Sequence, residues 1–126
     1  MNGVDFLADT NVFIYAMKGM PVVRDVLLYP LAISVISEIE LLGKKGLASQ
    51  DASHIRYLLA GFKNLALTNG IKEIAIDLKQ RHTVKVPDAI IAATAIYHGA
   101  TLITADREFE KIDGLKLFLL DISPAE

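Results

Sequence analysis

The sequence predicts an α/β domain built on a parallel five-stranded sheet with helices on both faces. Three observations carry that expectation. Short apolar runs recur at residues 4–8, 31–35, 65–68, 101–105 and 115–120. Most of the segments between them place apolar residues at three-to-four spacing, the mark of amphipathic helices. Strands separated by helices pair in parallel, because a parallel pair needs a long crossover. The chain, 1–126, is read as a single domain, large enough to bury roughly two-thirds of the surface its unfolded form exposes.

Val4 to Ala8 is the first strand, and Asp9 and Thr10 follow where they can cap a helix beginning near Asn11. Gly19 and Pro21 punctuate the chain; Pro21 suits a helix start, after which Val22, Val23, Val26 and Leu27 fall on helical spacing. Leu31 to Val35, entered after Pro30, is the second strand. Ser37 opens a helix with Ile39, Leu41 and Leu42, ending among Gly43, Lys44, Lys45 and Gly46. Its apolar neighbours imply that Glu40 sits on a mostly buried helix. The next helix covers Asp51 to Lys63, capped by Ser49 or Asp51, with Ile55, Leu58, Leu59 and Phe62 on its apolar face. Leu65 to Thr68 is a weakly patterned third strand, followed by an Asn69-Gly70 turn and a helix over 71–82. Pro87 and Asp88 open a strongly apolar helix through Tyr97, closed by Gly99. Thr101 to Ala105 and Leu115 to Leu120 complete the sheet.

Composition narrows the functional classes. Cysteine is absent, which removes disulfides, thiolate metal sites and a cysteine nucleophile and suits a reducing cytoplasm. No basic leader with an apolar stretch and a small-residue cleavage site opens the chain, and no apolar run approaches the roughly 18 residues of a membrane span. A soluble cytoplasmic protein is expected. Hydrophobic residues make up 52% of the chain and mean hydropathy is +0.39, high for so small a domain, so a subunit or partner interface is expected to cover part of the surface. A net charge of -2 argues against a generally basic nucleic-acid coat, yet a local basic stripe beside an acidic cluster leaves the same total.

Four acids stand just past or opposite apolar runs: Asp9 in FLADTNVFIY, Glu40 in SVISEIELLG, Asp88 in VPDAIIAATA and Asp106 in LITADREF. In parallel sheets, sites form beyond the carboxyl ends of the strands. Asp9 follows the first strand, Asp106 follows the fourth after Ala105, Asp88 lies in the first turn of its helix, and Glu40 lies about one turn into its own. All four can reach one edge. Carboxylates about 5 Å apart repel by about 3 kcal/mol per pair at an effective dielectric of 20, so such a cluster needs a cation or retained protons. Oxygen ligands without His or Cys select Mg²⁺ or Mn²⁺ over Zn²⁺, and such ions lower the pKa of a bound water for in-line hydrolysis of a phosphodiester. Each acid also has a plainer reading: Asp9 and Asp88 as helix caps, Glu40 as a solvated side chain, and Glu38 as the ligand if the helix register differs. The basic segment from Lys79 through Arg81 to Lys85 reads either as a solvated helix end or as a phosphate track toward Asp88, with Arg81 and Lys85 as its RNA contacts and Lys18, Lys44, Lys45 and Arg107 as extensions. His54, His82 and His98 have no metal-ligand spacing and are read as non-catalytic; Tyr57 and Phe62 are read as core.

DTNVFIY, SVISEIEL and PDAIIAATAIYHGATLITAD, in that order and spacing, resemble the PIN domain, and the chain's size resembles the VapC-type toxins of prokaryotic toxin-antitoxin pairs. The resemblance covers nearly the whole chain, most weakly between about residues 46 and 80. It implies a three-layer sandwich and a metal-dependent endoribonuclease whose matching acids, Asp9, Glu40, Asp88 and Asp106, bind Mg²⁺ or Mn²⁺. Glu40 is preferred over Glu38 because Leu41 completes the family's Glu-Leu pattern. Asn11 and Thr104 match supporting positions. Glu108 departs from the Asp that relatives often carry before the residue that is Phe109 here, and is a longer substitute, a neighbour of the ligands or a surface charge. The implied partners are an RNA substrate, a cognate antitoxin and a second copy in a homodimer. Two other classes compete. A receiver-type signalling domain wants paired acids after the first strand and a Lys after the last, whereas Asp9 stands alone and Asp121 follows Leu120. A catalytically silent PIN-like scaffold for RNA or protein would not require all four acids.

Overall fold

The computed structural model describes residues 4–122. Strands β1 (Phe6–Ala8), β2 (Leu31–Ser34), β3 (Lys63–Leu65), β4 (Thr101–Thr104) and β5 (Lys116–Leu119) form a sheet in the order β3-β2-β1-β4-β5, with every pair parallel. Helices α1 (Thr10–Met17), α2 (Pro21–Arg24), α3 (Val35–Leu42), α4 (Ser49–Leu59), α5 (Asn69–Arg81) and α6 (Val86–His98) connect them, with 3-10 turns at Asp25–Leu28 and Arg107–Lys111. Strand order runs outward from β1 in one direction and then reverses to the other side at β4. That reversal opens a crevice beyond the carboxyl ends of β1 and β4.

Side chains alternate across each strand and divide between two cores. Leu7, Ala32 and Leu102 face α5 and α6, meeting Ile71, Leu78 and Ile91. Ala8, Ile33 and Ile103 face the other way, onto Val12 and Phe13 of α1, Val23 of α2, and Ile55 and Leu59 of α4. Three layers result, as the sequence implied. Helix α6 is apolar nearly all round because it is central: Ala89, Ile91, Ala92, Ala93 and Ala95 are all buried.

Register fixes where the strands release their next residue. Ala8 is level with both Ile33 and Ile103, so Asp9, Ser34 and Thr104 leave the sheet side by side. The ladder continues one step further, since the Asp9 amide donates to the Ile103 carbonyl at 3.0 Å.

Several boundaries differ from the sequence expectation, each for a local reason. Strand β2 ends at Ser34 and α3 starts at Val35, two residues before the expected Ser37, because the Ser34 hydroxyl accepts from the Ile36 amide at 3.1 Å and caps the helix. Helix α4 starts at Ser49, so Ser49 and Asp51 lie inside it and the capping position is Ala48, whose side chain makes no bond. Strand β3 is Lys63–Leu65 rather than 65–68; it is an edge strand whose Lys63 and Asn64 are exposed, so no apolar run announces it. Thr68 is withheld from the strand because its hydroxyl accepts from the Ile71 amide at 3.2 Å, which puts Asn69 and Gly70 in the first turn of α5 instead of a free turn. Gly99 closes α6 in the left-handed conformation at φ 67°, where a Cβ is disfavoured. Among the described residues no helix is long and apolar enough to cross a membrane.

Candidate active site

Asp9 sits at the strand-order reversal, 4% exposed. Its backbone has helix-capping dihedrals, but its side chain makes no capping bond. The carboxylate turns across the crevice instead, and Oδ2 accepts from Thr104 Oγ1 at 2.8 Å. Burial pushes its pKa up to about 6; the Thr104 bond, and more weakly the nearby Thr10 amide, oppose the rise, while the negative charges of Asp88 and Asp106 add to it.

Thr104 is fully buried and serves two acids at once. While donating to Asp9, its hydroxyl accepts from the Asp106 amide at 3.0 Å. Asp106 caps the following 3-10 turn, Oδ1 accepting from the Glu108 amide at 2.9 Å, and buried Phe109 and Ile112 hold that turn against the core. Asp106 is therefore both a cap and a member of the acidic cluster.

Asp88 is the third residue of α6. Lys85 occupies the capping position without a side-chain bond, and Asp88 lines the groove together with Asp106. Burial raises its pKa, repulsion from Asp106 and Glu40 raises it further, and Lys85 works against both. These mutual effects tie the four predicted acids into one electrostatic unit.

Glu40 is exposed, as is Ile39 at 60%; only Ser37 and Leu41 of α3 are buried. The helix is thus less buried than its apolar residues implied, because it lies at the rim. Glu40 Oε1 accepts from Thr10 Oγ1 at 2.6 Å. Glu38 points elsewhere, accepting from Asn64 Nδ2 of β3 at 2.9 Å. The helix register therefore places Glu40 with the cluster and Glu38 outside it.

A groove of about 740 Å³ begins at Asp88 and Asp106 and is walled by Glu108, Lys79, Lys85 and Lys111. Asp9 and Glu40 do not line it; one is buried beneath the cluster and the other stands on the α3 side. Glu108 is exposed and held by Lys111 Nζ at 3.1 Å, and Lys79 Nζ donates to the Val84 carbonyl at 2.7 Å. Arg81, expected as an RNA contact, is not on the groove wall: Asp77 engages it at 2.8 Å and Asp113 lies 3.5 Å away. Asn11 is exposed and makes no hydrogen bond to the acids among the described residues. The sequence reading takes Thr10 only as a cap and Ser37 only as a helix start, whereas their hydroxyls lie 2.7 Å apart beside Glu40, and it gives no part to Lys111. The available signal for Ser37 was its position three residues before Glu40, on the same helix face.

Asp9, Glu40, Asp88 and Asp106 offer only hard oxygen donors, and burial and repulsion make the pair Asp9 and Asp88 costly to ionise; both properties fit a hard divalent cation. Among the described residues, no three acidic or imidazole side chains stand as a ready-made metal cage.

The PIN domain family model matches residues 6–115. This chain belongs to the PIN domain family. The match takes in every strand but β5 and all four acids. The chain is 33% identical over 108 residues to Ribonuclease VapC10 of Mycobacterium tuberculosis, with 78% of this chain and 80% of that protein covered. Its structure is similar to a chain of a toxin-antitoxin complex from Klebsiella pneumoniae, at 32% identity and TM-score 0.77, covering 88% and 95% of the two chains. It also shares its fold with a chain of VapBC2 from Rickettsia felis, crystallised with a promoter DNA fragment, at TM-score 0.84 and 24% identity, covering 94% and 100%.

Proposed function

We propose that this PIN domain is a metal-dependent endoribonuclease that hydrolyses RNA phosphodiesters and is the toxin of a type II toxin-antitoxin pair. The observation that carries the proposal is the convergence of the four acids at the strand-order reversal: Thr104 joins Asp9 to the Asp106 backbone, Thr10 holds Glu40 beside them, and Asp88 and Asp106 line one groove. Its relatives, a ribonuclease and a toxin-antitoxin component, support the activity and the pairing.

Asp9, Glu40, Asp88 and Asp106 would hold Mg²⁺ or Mn²⁺, which when bound supplies water activation and stabilisation of the leaving oxygen. Thr104 orients the cluster by fixing Asp9 Oδ2 and the Asp106 backbone. Lys85, beside Asp88, and Lys111, across the groove, take the phosphates on either side of the reacting bond. Glu108 holds Lys111 in place and is not required as a ligand. The second reading, a silent PIN-like scaffold, is favoured by the lack, among the described residues, of a ready-made cage of three acidic or imidazole side chains.

The test is cleavage of labelled cellular RNA by the purified chain with Mg²⁺ or Mn²⁺ against EDTA, with Asp88→Asn alongside. Site-specific cutting that needs metal and Asp88 supports the nuclease; no cutting by the folded, metal-supplied protein supports the scaffold. Leu28, Tyr29 and Tyr57, each more than half exposed, supply apolar area suited to a homodimer and an antitoxin. Sedimentation of the pure chain as a strict monomer would remove the dimer from the proposal.

A further inference from the structure

Thr10 and Ser37 form a hydrogen-bonded pair of buried hydroxyls between α1 and α3, 2.7 Å apart. Thr10 is 8% exposed and Ser37 is fully buried. A threonine hydroxyl has one proton, and that of Thr10 goes to Glu40 Oε1 at 2.6 Å. Ser37 must then be the donor to Thr10, and the chain of bonds runs in one direction, from Ser37 to Thr10 to Glu40.

Thr94 shows why this arrangement is more than a way of satisfying two buried groups. In the middle of α6 its hydroxyl donates to the Ile90 carbonyl one turn back, at 2.6 Å, the ordinary outlet for a helical threonine. Thr10 is the first residue of α1, where no carbonyl of its own helix lies one turn back. Its proton must leave the helix, and it goes to an exposed carboxylate that water would otherwise solvate. The exposed partner gains an orientation it does not need for its own solvation. Oε2 of Glu40 has no hydrogen-bond partner among the described residues. Each carboxylate oxygen has two acceptor sites, so the Thr10 bond fixes the orientation of the group through Oε1 and leaves both sites of Oε2 for a cation, a geometry compatible with the single-oxygen ligation common at small octahedral ions.

We infer that Thr10, itself held by Ser37, is a positioning residue that fixes Glu40 Oε1 and reserves Oε2 for the metal side of the acidic cluster. This rests on the nuclease reading above. It assigns a role to the second residue of DTN and to the Ser of SEIE that neither the family match nor the relatives assign.

The experiment compares the full-length chain with Thr10→Val, Thr10→Ser and Ser37→Ala. It measures Mn²⁺ affinity by calorimetry, RNA cleavage at saturating Mn²⁺, and melting temperature in EDTA. Thr10→Val is expected to weaken Mn²⁺ binding about tenfold and to slow cleavage about tenfold, the scale of one hydrogen bond to a charged group. Thr10→Ser is expected to restore both. Ser37→Ala should produce the same changes at about threefold, and carries the test alone if Thr10→Val does not fold. In a Glu40→Ala background, Thr10→Val should change neither quantity further, which a general packing defect would not reproduce. A folded Thr10→Val with wild-type affinity and rate overturns the assignment, as does a defect that persists in the Glu40→Ala background. A wild-type chain that binds no Mn²⁺ and cuts no RNA overturns the nuclease reading itself, and this role with it.

Discussion

Asp9 carries a consequence that separates stability from activity. Its folded pKa of about 6 lies above the ordinary aspartate value of 3.8, so the folded chain binds the proton more tightly than the unfolded chain does. Below pH 4 both forms hold it and no penalty arises. Between about 4 and 6 the folded state retains the proton longer, so stability falls as pH rises; above 6 the full penalty applies, on the order of 3 kcal/mol. Asp9→Asn removes that charge and keeps an oxygen for Thr104. In EDTA at pH 7 it should raise stability by about 1–3 kcal/mol while lowering metal-dependent cleavage at least ~100-fold, since a ligand is lost. Thermal melts at pH 4 and 7 check the first half, because the gain should vanish at the lower pH. The candidate acids were legible in the sequence because Asp9 and Asp106 directly follow apolar runs. The choice between Glu38 and Glu40 was legible only through family resemblance, since it depends on which face of α3 meets Thr10. The bonds of Thr10 to Ser37 and Glu40 span 27 and 30 residues, a separation that no local pattern encodes.

Helix ends test how local chemistry sets the frame. Gly99→Ala forces an alanine to φ 67° at the end of α6, which should cost about 1 kcal/mol and lower the melting temperature by roughly 3–5 °C. Thr68→Ala removes the cap of α5 and should cost about 1 kcal/mol as well. Neither residue lies at the acidic cluster, so at 25 °C both variants should cut RNA at the parental rate; a large loss of activity would show that α5 and α6 transmit more to the site than the contacts here imply. These stops were readable from the sequence in one case and not the other. Gly99 follows a long apolar helix and announces its end, whereas Thr68 sat within an apparently extended segment. Val35 and Ile36 misled in the same way, being β-branched residues drawn into a helix by the Ser34 hydroxyl.

Charge over the molecule as a whole sets the RNA prediction. A chain of net charge -2 can attract a polyanion only through a local field, and Lys79, Lys85 and Lys111 place one along the groove beside the acids. Lys85→Ala should weaken RNA binding and reduce the slope of log affinity against log salt by about 0.7, the value for one phosphate on a single strand, and Lys111→Ala should reduce it by less, because Glu108 already pairs with its ammonium at 3.1 Å. Arg81→Ala should change that slope little, because Asp77 and Asp113 already occupy its guanidinium. Titration of a labelled RNA with salt, using Asp88→Asn to prevent cleavage, measures all three. The passage of β2 into α3 without an intervening loop has its own effect on how this chain can change length. One residue inserted between Ser34 and Ser37 would turn every later position of the helix by about 100° and carry Glu40 away from Thr10. An insertion in 43–48 would fall after α3 and leave that angle untouched. Changes of length should therefore be tolerated within 43–48 and eliminated between Ser34 and Glu40, and a library of single-codon insertions across 34–48 scored for toxicity would draw that border.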